Sequence, residues 1–548
     1  MQRFVHFILV LSLMSLSCQT VYNLVQPPVE PTLSDNPTVP ATPPVSPPDQ
    51  LTDIRERLRE LGGVPCEEAD GFTCVTLTVP LDHFDPANSE TIDVVFAIAP
   101  ATGERKGMFV QAFPGGPGGE GIPYASRDYF SSSIWRSYDI VFFDQRGIGL
   151  SSPLECKTTY AEYFVDYFNE DDTLGEEGYD TPQEQQAAIE DARSFVDECI
   201  AEIGIAPEKL QFFTTDQVAE DIESFRQAIG DDNFMLYGVS YGTSVAQTYA
   251  RSYPQHLSGL ILDGTIDMTL SGEESAASQR EGFNTVLMEV FQACDADQEC
   301  SFLFDGSSQD AYDRLAQKLA EGPITYDYLF PGDRKVEHIF TLHMLEYTVA
   351  YQLYWIEGRM EMLRALAAAQ ESNLIPMARL FFDVATIDPA TGEYVGDPDF
   401  SDTMLYVVWC GDDVFFSGTT EERIAQIMQE IQKQTGLIPR IDIYPELSCP
   451  YWPHAPVHQA SREPLKAPGV PTLVLNATLD PATPFNEGKA VFENLENGYH
   501  LYVDGGMHGT YGWGYSCPDD YIEDFLVNGN LPDRREIVCD WGEAVLGQ

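Results

Sequence analysis

The sequence predicts an α/β fold: a mostly parallel, eight-stranded sheet with helices on both faces, interrupted by a helical cap insertion. Three observations predict it. Continuous apolar runs such as DIVFFD at 139–144 and GLILDG at 259–264 read as strands buried on both faces, the pattern of a parallel sheet. Helical patterns at 182–203, 216–229 and 241–253 lie between such runs. From 271 to about 465 helical patterns dominate, and PTLVLNATLD at 471–480 then restores the sheet pattern.

In chain order, residues 1–18 hold Arg3, an apolar run from Phe4 to Met14, and Ser15-Leu16-Ser17-Cys18. The run is too short to span a bilayer and fits an export signal. A small residue before Cys18 is the pattern of a bacterial lipoprotein signal, with Cys18 lipidated after cleavage, although Leu16 stands where such a signal usually has a small residue. Prolines from Pro27 to Pro48 make 19–50 an extended tether rather than a fold. The core then occupies 51–270 and 466–548, with strands at 74–80, 91–99, 108–113, 138–144, 234–239, 258–263, 471–476 and 499–504. The cap at 271–465 reads as helices at 281–294, 311–320, 342–354, 359–371 and 421–434, with few strand signals between them.

A chain of 548 residues with 43% hydrophobic content can bury a large core. Its formal charge of −57 argues against nucleic acid and anionic lipid as partners. Membrane contact is expected only through the lipid on Cys18, and the chain is expected to be a monomer. Eleven cysteines less Cys18 leave ten, an even number that suits disulfides in an exported chain. Taken in sequence order the pairs would be Cys66–Cys74, Cys156–Cys199, Cys294–Cys300, Cys410–Cys449 and Cys517–Cys539; connectivity does not follow from sequence alone. Neither a metal nor a cofactor is expected: Pro456 between His454 and His458 argues against a helix presenting both.

The chemistry is carried by GVSYG at 238–242, which follows the strand-like FMLYGV and opens a helix. A serine between two glycines on such a turn is a nucleophile elbow, which lifts Ser240 out at the carboxyl edge of a sheet. A hydroxyl is a weak nucleophile, so it needs a base, an orienting acid and oxyanion donors. Asp480 ends the late apolar run and precedes Pro481; His508 lies in the glycine-rich loop VDGGMHGTYG after the last strand. The order Ser, acid, His fits this elbow class. Asp263, which ends LILD, is the rival acid, and Asp504 a weaker one. The oxyanion donors are assigned to the amide of Tyr241 at the helix start and to Gly115 or Gly116 in FPGGPGGEG at 113–121. Asp144 and Arg146 read as structural braces.

PGGPGG, DQRGIGLSSP at 144–153, GVSYG, LDPATP and GGMHG, in this order, resemble the proline iminopeptidase and tripeptidyl aminopeptidase family of α/β-hydrolases from about residue 64 onward. WCGDD at 409–413 and CPYWP at 449–453 resemble its tripeptidyl aminopeptidase branch. The resemblance implies an α/β-hydrolase fold, the triad Ser240, Asp480 and His508, and release of short peptides or an amino acid from free amino termini. Phe113 stands where the family usually has Asn or His, and Glu120 where it has a small polar residue, which bears on substrate preference. An exopeptidase needs a carboxylate for the substrate amine. Glu120 is the first choice because it neighbours the oxyanion loop; Glu273, Glu274, Asp412 and Asp413 are others. Two other readings stay open: a carboxylesterase with the same triad, and a non-catalytic surface binding protein with a relict site.

Overall fold

The computed structural model of the chain describes residues 50–548 except 113–114, 128, 170–180, 333, 413–417, 432–435, 439–446, 454–461, 542–544 and 547–548. The expected signal, most of the tether, Cys18, Phe113, Asp413, His454 and His458 therefore lie outside the described residues.

The strands are β1 (Val64–Pro65), β2 (Thr73–Pro80), β3 (Thr91–Ala99), β4 (Gly107–Ala112), β5 (Tyr138–Phe143), β6 (Phe234–Val239), β7 (Leu257–Asp263), β8 (Ile324–Phe330), β9 (Arg334–Phe340), β10 (Thr472–Ala477), β11 (Gly498–Asp504) and β12 (Glu536–Asp540). Ten of them form one sheet in the order β1-β2-β3-β5-β4-β6-β7-β10-β11-β12. The pairs β1–β2, β2–β3 and β3–β5 are antiparallel; every pair from β5–β4 to β11–β12 is parallel. The eight expected strands are thus extended by one at each edge. The added β12 buries only Ile537 and Cys539, so it lacks the continuous apolar run that marks an inner strand.

Side-chain alternation feeds two apolar clusters, one per face. Along β3, Val94, Phe96 and Ile98 enter one cluster while Val95, Ala97 and Ala99 enter the other. β4 sits at the switch point: the chain places β5 on one side of it and β6 on the other. Ligands of such sheets bind beyond the carboxyl ends of the strands at that point. The loops after β4 and β6, which hold Gly115–Gly116 and Ser240, are brought together there.

Between β7 and β10 the chain runs through helices and the antiparallel hairpin β8–β9, which the sequence did not signal. Much of this insertion packs as a third cluster with Phe283, Leu287, Leu345, Leu363 and Phe381. The helix Asp402–Asp412 instead joins the sheet-face cluster through Met404, Tyr406 and Val407. Five disulfides join Cys66 to Cys74, Cys156 to Cys199, Cys294 to Cys300, Cys410 to Cys449, and Cys517 to Cys539. Among the described residues no helix is long and apolar enough to cross a membrane.

The run DQRG acts as a brace. Arg146 is fully buried and grips Asp221 at 2.6 and 2.8 Å, and it donates to the carbonyls of Leu81 and Phe212. Asp144 accepts from the amides of Gly121, Ile122 and Leu150, which pins the far end of the glycine loop.

Candidate active site

Ser240 sits at the tip of β6 with φ of +54°, a left-handed conformation that a non-glycine residue rarely adopts. The strain is held from both sides. The Ser240 amide donates to the Asp263 carbonyl at 2.9 Å, and the Ser240 carbonyl accepts from the Thr243 amide and hydroxyl. Gly238 allows the helix Gly242–Ser252 to leave at once, because a Cβ there would fall 2.3 Å from the Gly242 oxygen.

The glycine loop lies against this elbow. A Cβ on Gly115 would come within 3.5 Å of Ser240 Oγ, and Gly116 has φ of +109°. The Gly116 and Tyr241 amides donate to no acceptor among the described residues. Tyr241 is held by its buried phenol, which hydrogen-bonds Thr215 Oγ1 at 2.7 Å.

Asp480 lies just past β10. One oxygen accepts from the amides of Ala482 and Thr483, both at 2.9 Å, and the other from Thr483 Oγ1 at 2.7 Å. Both oxygens stand 3.0 Å from His508 Nδ1. Burial pulls the His508 pKa down, but the charge and hydrogen bond of Asp480, with the charge of Asp263, outweigh it and hold the imidazole above its ordinary value. No hydrogen bond joins Ser240 Oγ to His508 Nε2; in unliganded enzymes this contact is commonly long.

Asp263 has other work. Its carboxylate accepts from the Thr510 amide and hydroxyl and from the Tyr511 amide, each at about 2.9 Å. Its carbonyl takes the Ser240 amide. One buried residue thereby fixes the elbow and the histidine loop to each other. Among the described residues the Asp504 carboxylate accepts from Thr478 Oγ1 alone, at 3.4 Å. The carboxyl of Glu120 lies beside Asp144 and over Gly149, and burial together with the neighbouring acids pushes its pKa up to about 7.

Sequence reasoning missed the grip of the insertion on these loops. The Tyr354 carbonyl accepts from the His508 amide at 3.2 Å, and the Tyr354 ring stands edge-on to His508 at 5.4 Å. Five residues on, fully buried Arg359 donates to the Leu479 carbonyl at 2.8 Å and places its charge near Asp480. Gln279 donates to the Ala482 carbonyl, and Glu487 ties Ser278 to the Asp267 amide. The ring of Phe400 covers Gly116 and Gly118. No spacing in the sequence separates Arg359 from a solvated helix arginine. Among the described residues no group of His, Cys, Asp and Glu is arranged to hold a metal ion.

Compared with known proteins, residues 112–305 match the family model of the alpha/beta hydrolase fold, and residues 441–539 match that of TAP-like proteins. The chain is 28% identical over 478 residues to serine protease Hip1 of Mycobacterium tuberculosis, covering 84% of this chain and 86% of that protein. It is 25% identical over 494 residues to tripeptidyl aminopeptidase of Streptomyces coelicolor (85% and 82%). It is 26% identical over 513 residues to carboxylesterase B of Mycobacterium tuberculosis (90% of each). Fold and relatives define the class: this is a serine hydrolase with an α/β-hydrolase core. Within that class its similarity runs to the TAP-like proteins, over residues 441–539, and to tripeptidyl aminopeptidase.

Proposed function

We propose that the chain is an exported serine exopeptidase that releases short peptides from free amino termini. Ser240 Oγ attacks the scissile carbonyl while His508 Nε2 takes its proton. Asp480 holds the imidazole in the tautomer that leaves Nε2 free and stabilises the imidazolium. The amides of Tyr241 and Gly116 (or Gly115) receive the oxyanion. His508 then protonates the leaving amine, and water hydrolyses the acyl-enzyme, for which this chemistry needs neither metal nor cofactor. Export is supported by the five disulfides together with the expected signal.

The observation that carries the exopeptidase reading is the insertion. Through Tyr354, Phe400 and Gln279 it touches the histidine loop, the oxyanion loop and the Asp480 turn. A site roofed on three loops admits a chain end far more readily than a segment of folded protein. Digestion of a mixture of unmodified peptides, with products identified by mass spectrometry, tests it. Short amino-terminal fragments are expected. Scattered internal cuts would contradict the reading. Intact peptides alongside rapid hydrolysis of a short acyl ester would favour the carboxylesterase reading, which the carboxylesterase B relative keeps in view.

The mechanism also sets a pH dependence. His508 must be neutral to act as base, and its pKa is held above the ordinary histidine value of about 6.5. Activity therefore falls as pH drops through the raised value. With an uncharged substrate, kcat/KM should have an acid limb whose midpoint lies above about 6.5; a midpoint clearly below it would contradict the Asp480–His508 pairing.

A further inference from the structure

The insertion places a carboxylate inside a box of tyrosines at the edge of the oxyanion loop. Asp402 follows directly on the segment laid over that loop: Phe400 pairs with Gly119 as a β-bridge, and the Ser401 amide donates to the Gly118 carbonyl at 2.8 Å. The Tyr394 hydroxyl donates to Asp402 Oδ2 at 2.5 Å. The ring of Tyr160 lies 5.4 Å from that of Tyr394, and both Tyr160 and Tyr347 sit close enough to feel the Asp402 charge.

The same box is reached from the histidine side. From His508 the rings run to Tyr354 at 5.4 Å, on to Tyr351 at 5.9 Å, and on to Tyr347 at 4.5 Å. Tyr347 and Tyr351 are four residues apart on the helix Leu342–Gln352 and so share a face. At the outer end of this path Tyr351 and Trp355 are 40% and 46% exposed, large apolar surfaces beside a catalytic loop.

Asp402 is half-buried as a residue, and among the described residues no lysine, arginine or histidine pairs with its carboxylate. A carboxylate with hydroxyl donors and aromatic faces around it, but no cation, is the complement of an ammonium group. An amino terminus, with a pKa near 8, carries that charge at neutral pH. The strongly acidic surface draws cationic chain ends toward it.

We infer that Asp402, with Tyr160, Tyr347, Tyr351 and Tyr394, forms the subsite that binds the α-ammonium of the peptide substrate. This rests on the exopeptidase reading and deepens it. Of the other described acids singled out from sequence, Glu274 caps its own helix and Asp412 binds Thr215, whereas Glu120 sits among the carboxylates of Asp144 and Asp399 without the aromatic faces that surround Asp402. The Tyr351 and Tyr354 faces lie along the path between His508 and the box, where they accept varied side chains of the bound peptide.

The test compares matched peptide pairs, one with a free amino terminus and one in which that amine is replaced by hydrogen. The ratio of their kcat/KM values does not depend on how much of a variant folds. In the wild type the ratio should be about 10² or more, the loss expected when a buried charge is left unpaired. Asp402→Asn should bring it down at least tenfold. Tyr351→Ala, a change at an exposed ring, should lower it several-fold and reads the same site should Asp402→Asn fail to fold. A wild-type ratio near one would sink the exopeptidase reading itself. A large ratio that survives both substitutions would overturn the Asp402 assignment while leaving that reading in place.

Discussion

Replacing Ser240 by alanine is expected to lower turnover by on the order of 10⁴–10⁶, the range in which removal of a triad nucleophile leaves only binding and oxyanion stabilisation. The substitution deletes one oxygen. The elbow should survive it, because the turn is held by backbone bonds from Ser240 to Asp263 and Thr243 and by the glycine at 238. The variant should therefore unfold at nearly the wild-type temperature and lose reaction with a serine-directed phosphonate. Near wild-type turnover in a well-folded Ser240→Ala would remove the serine mechanism.

The second large effect separates two buried acids. Asp480→Asn should cost on the order of 10⁴ in turnover, because an amide facing His508 Nδ1 favours the tautomer that cannot accept the serine proton. Asp263→Asn should act mainly on stability. It weakens the acceptor for the Thr510 and Tyr511 amides, at about 1–3 kcal/mol for a buried donor left unsatisfied, and perturbs activity only as the loop loosens. Thermal unfolding and turnover measured on both variants distinguish the roles. A mild Asp480→Asn beside a crippling, normally folded Asp263→Asn would reverse the assignment.

What was legible in the sequence was what short-range physics writes there. Inner parallel strands are buried on both faces, so β5, β7 and β10 carry the apolar runs IVFF, LIL and LVL at their centres. The elbow is legible because its glycines and serine must lie within five residues of one another, as in GVSYG at 238–242. Asp480 and His508 followed from chain order, since each loop comes directly after its strand. The edge strand β12 and the hairpin β8–β9 escaped because half their side chains are solvated and their patterns resemble loops. The helix Gly272–Ala296 starts nine residues before the expected 281–294, at Ser271 and Glu274, whose capping box stands in the sequence. Asp263 reads in sequence like Asp480, because both end buried strands; in the fold its carboxylate bonds the amides of Thr510 and Tyr511, whereas that of Asp480 faces His508 Nδ1. Arg359 and the tyrosine box were out of reach for another reason. Tyr160, Tyr347, Tyr394 and Asp402 converge only after the insertion has folded onto the core, and each alone is an unremarked side chain on a helix or loop.

The proposed mechanism passes through an acyl-enzyme in which Ser240 carries the amino-terminal part of a peptide. Rapid acid quench during turnover of a free-amino peptide, followed by intact-mass measurement and peptide mapping, looks for it directly. The expected adduct has the mass of a short amino-terminal fragment less water, maps to Ser240, and is absent from Ser240→Ala. An adduct on another residue, or one that persists in Ser240→Ala, would contradict the account.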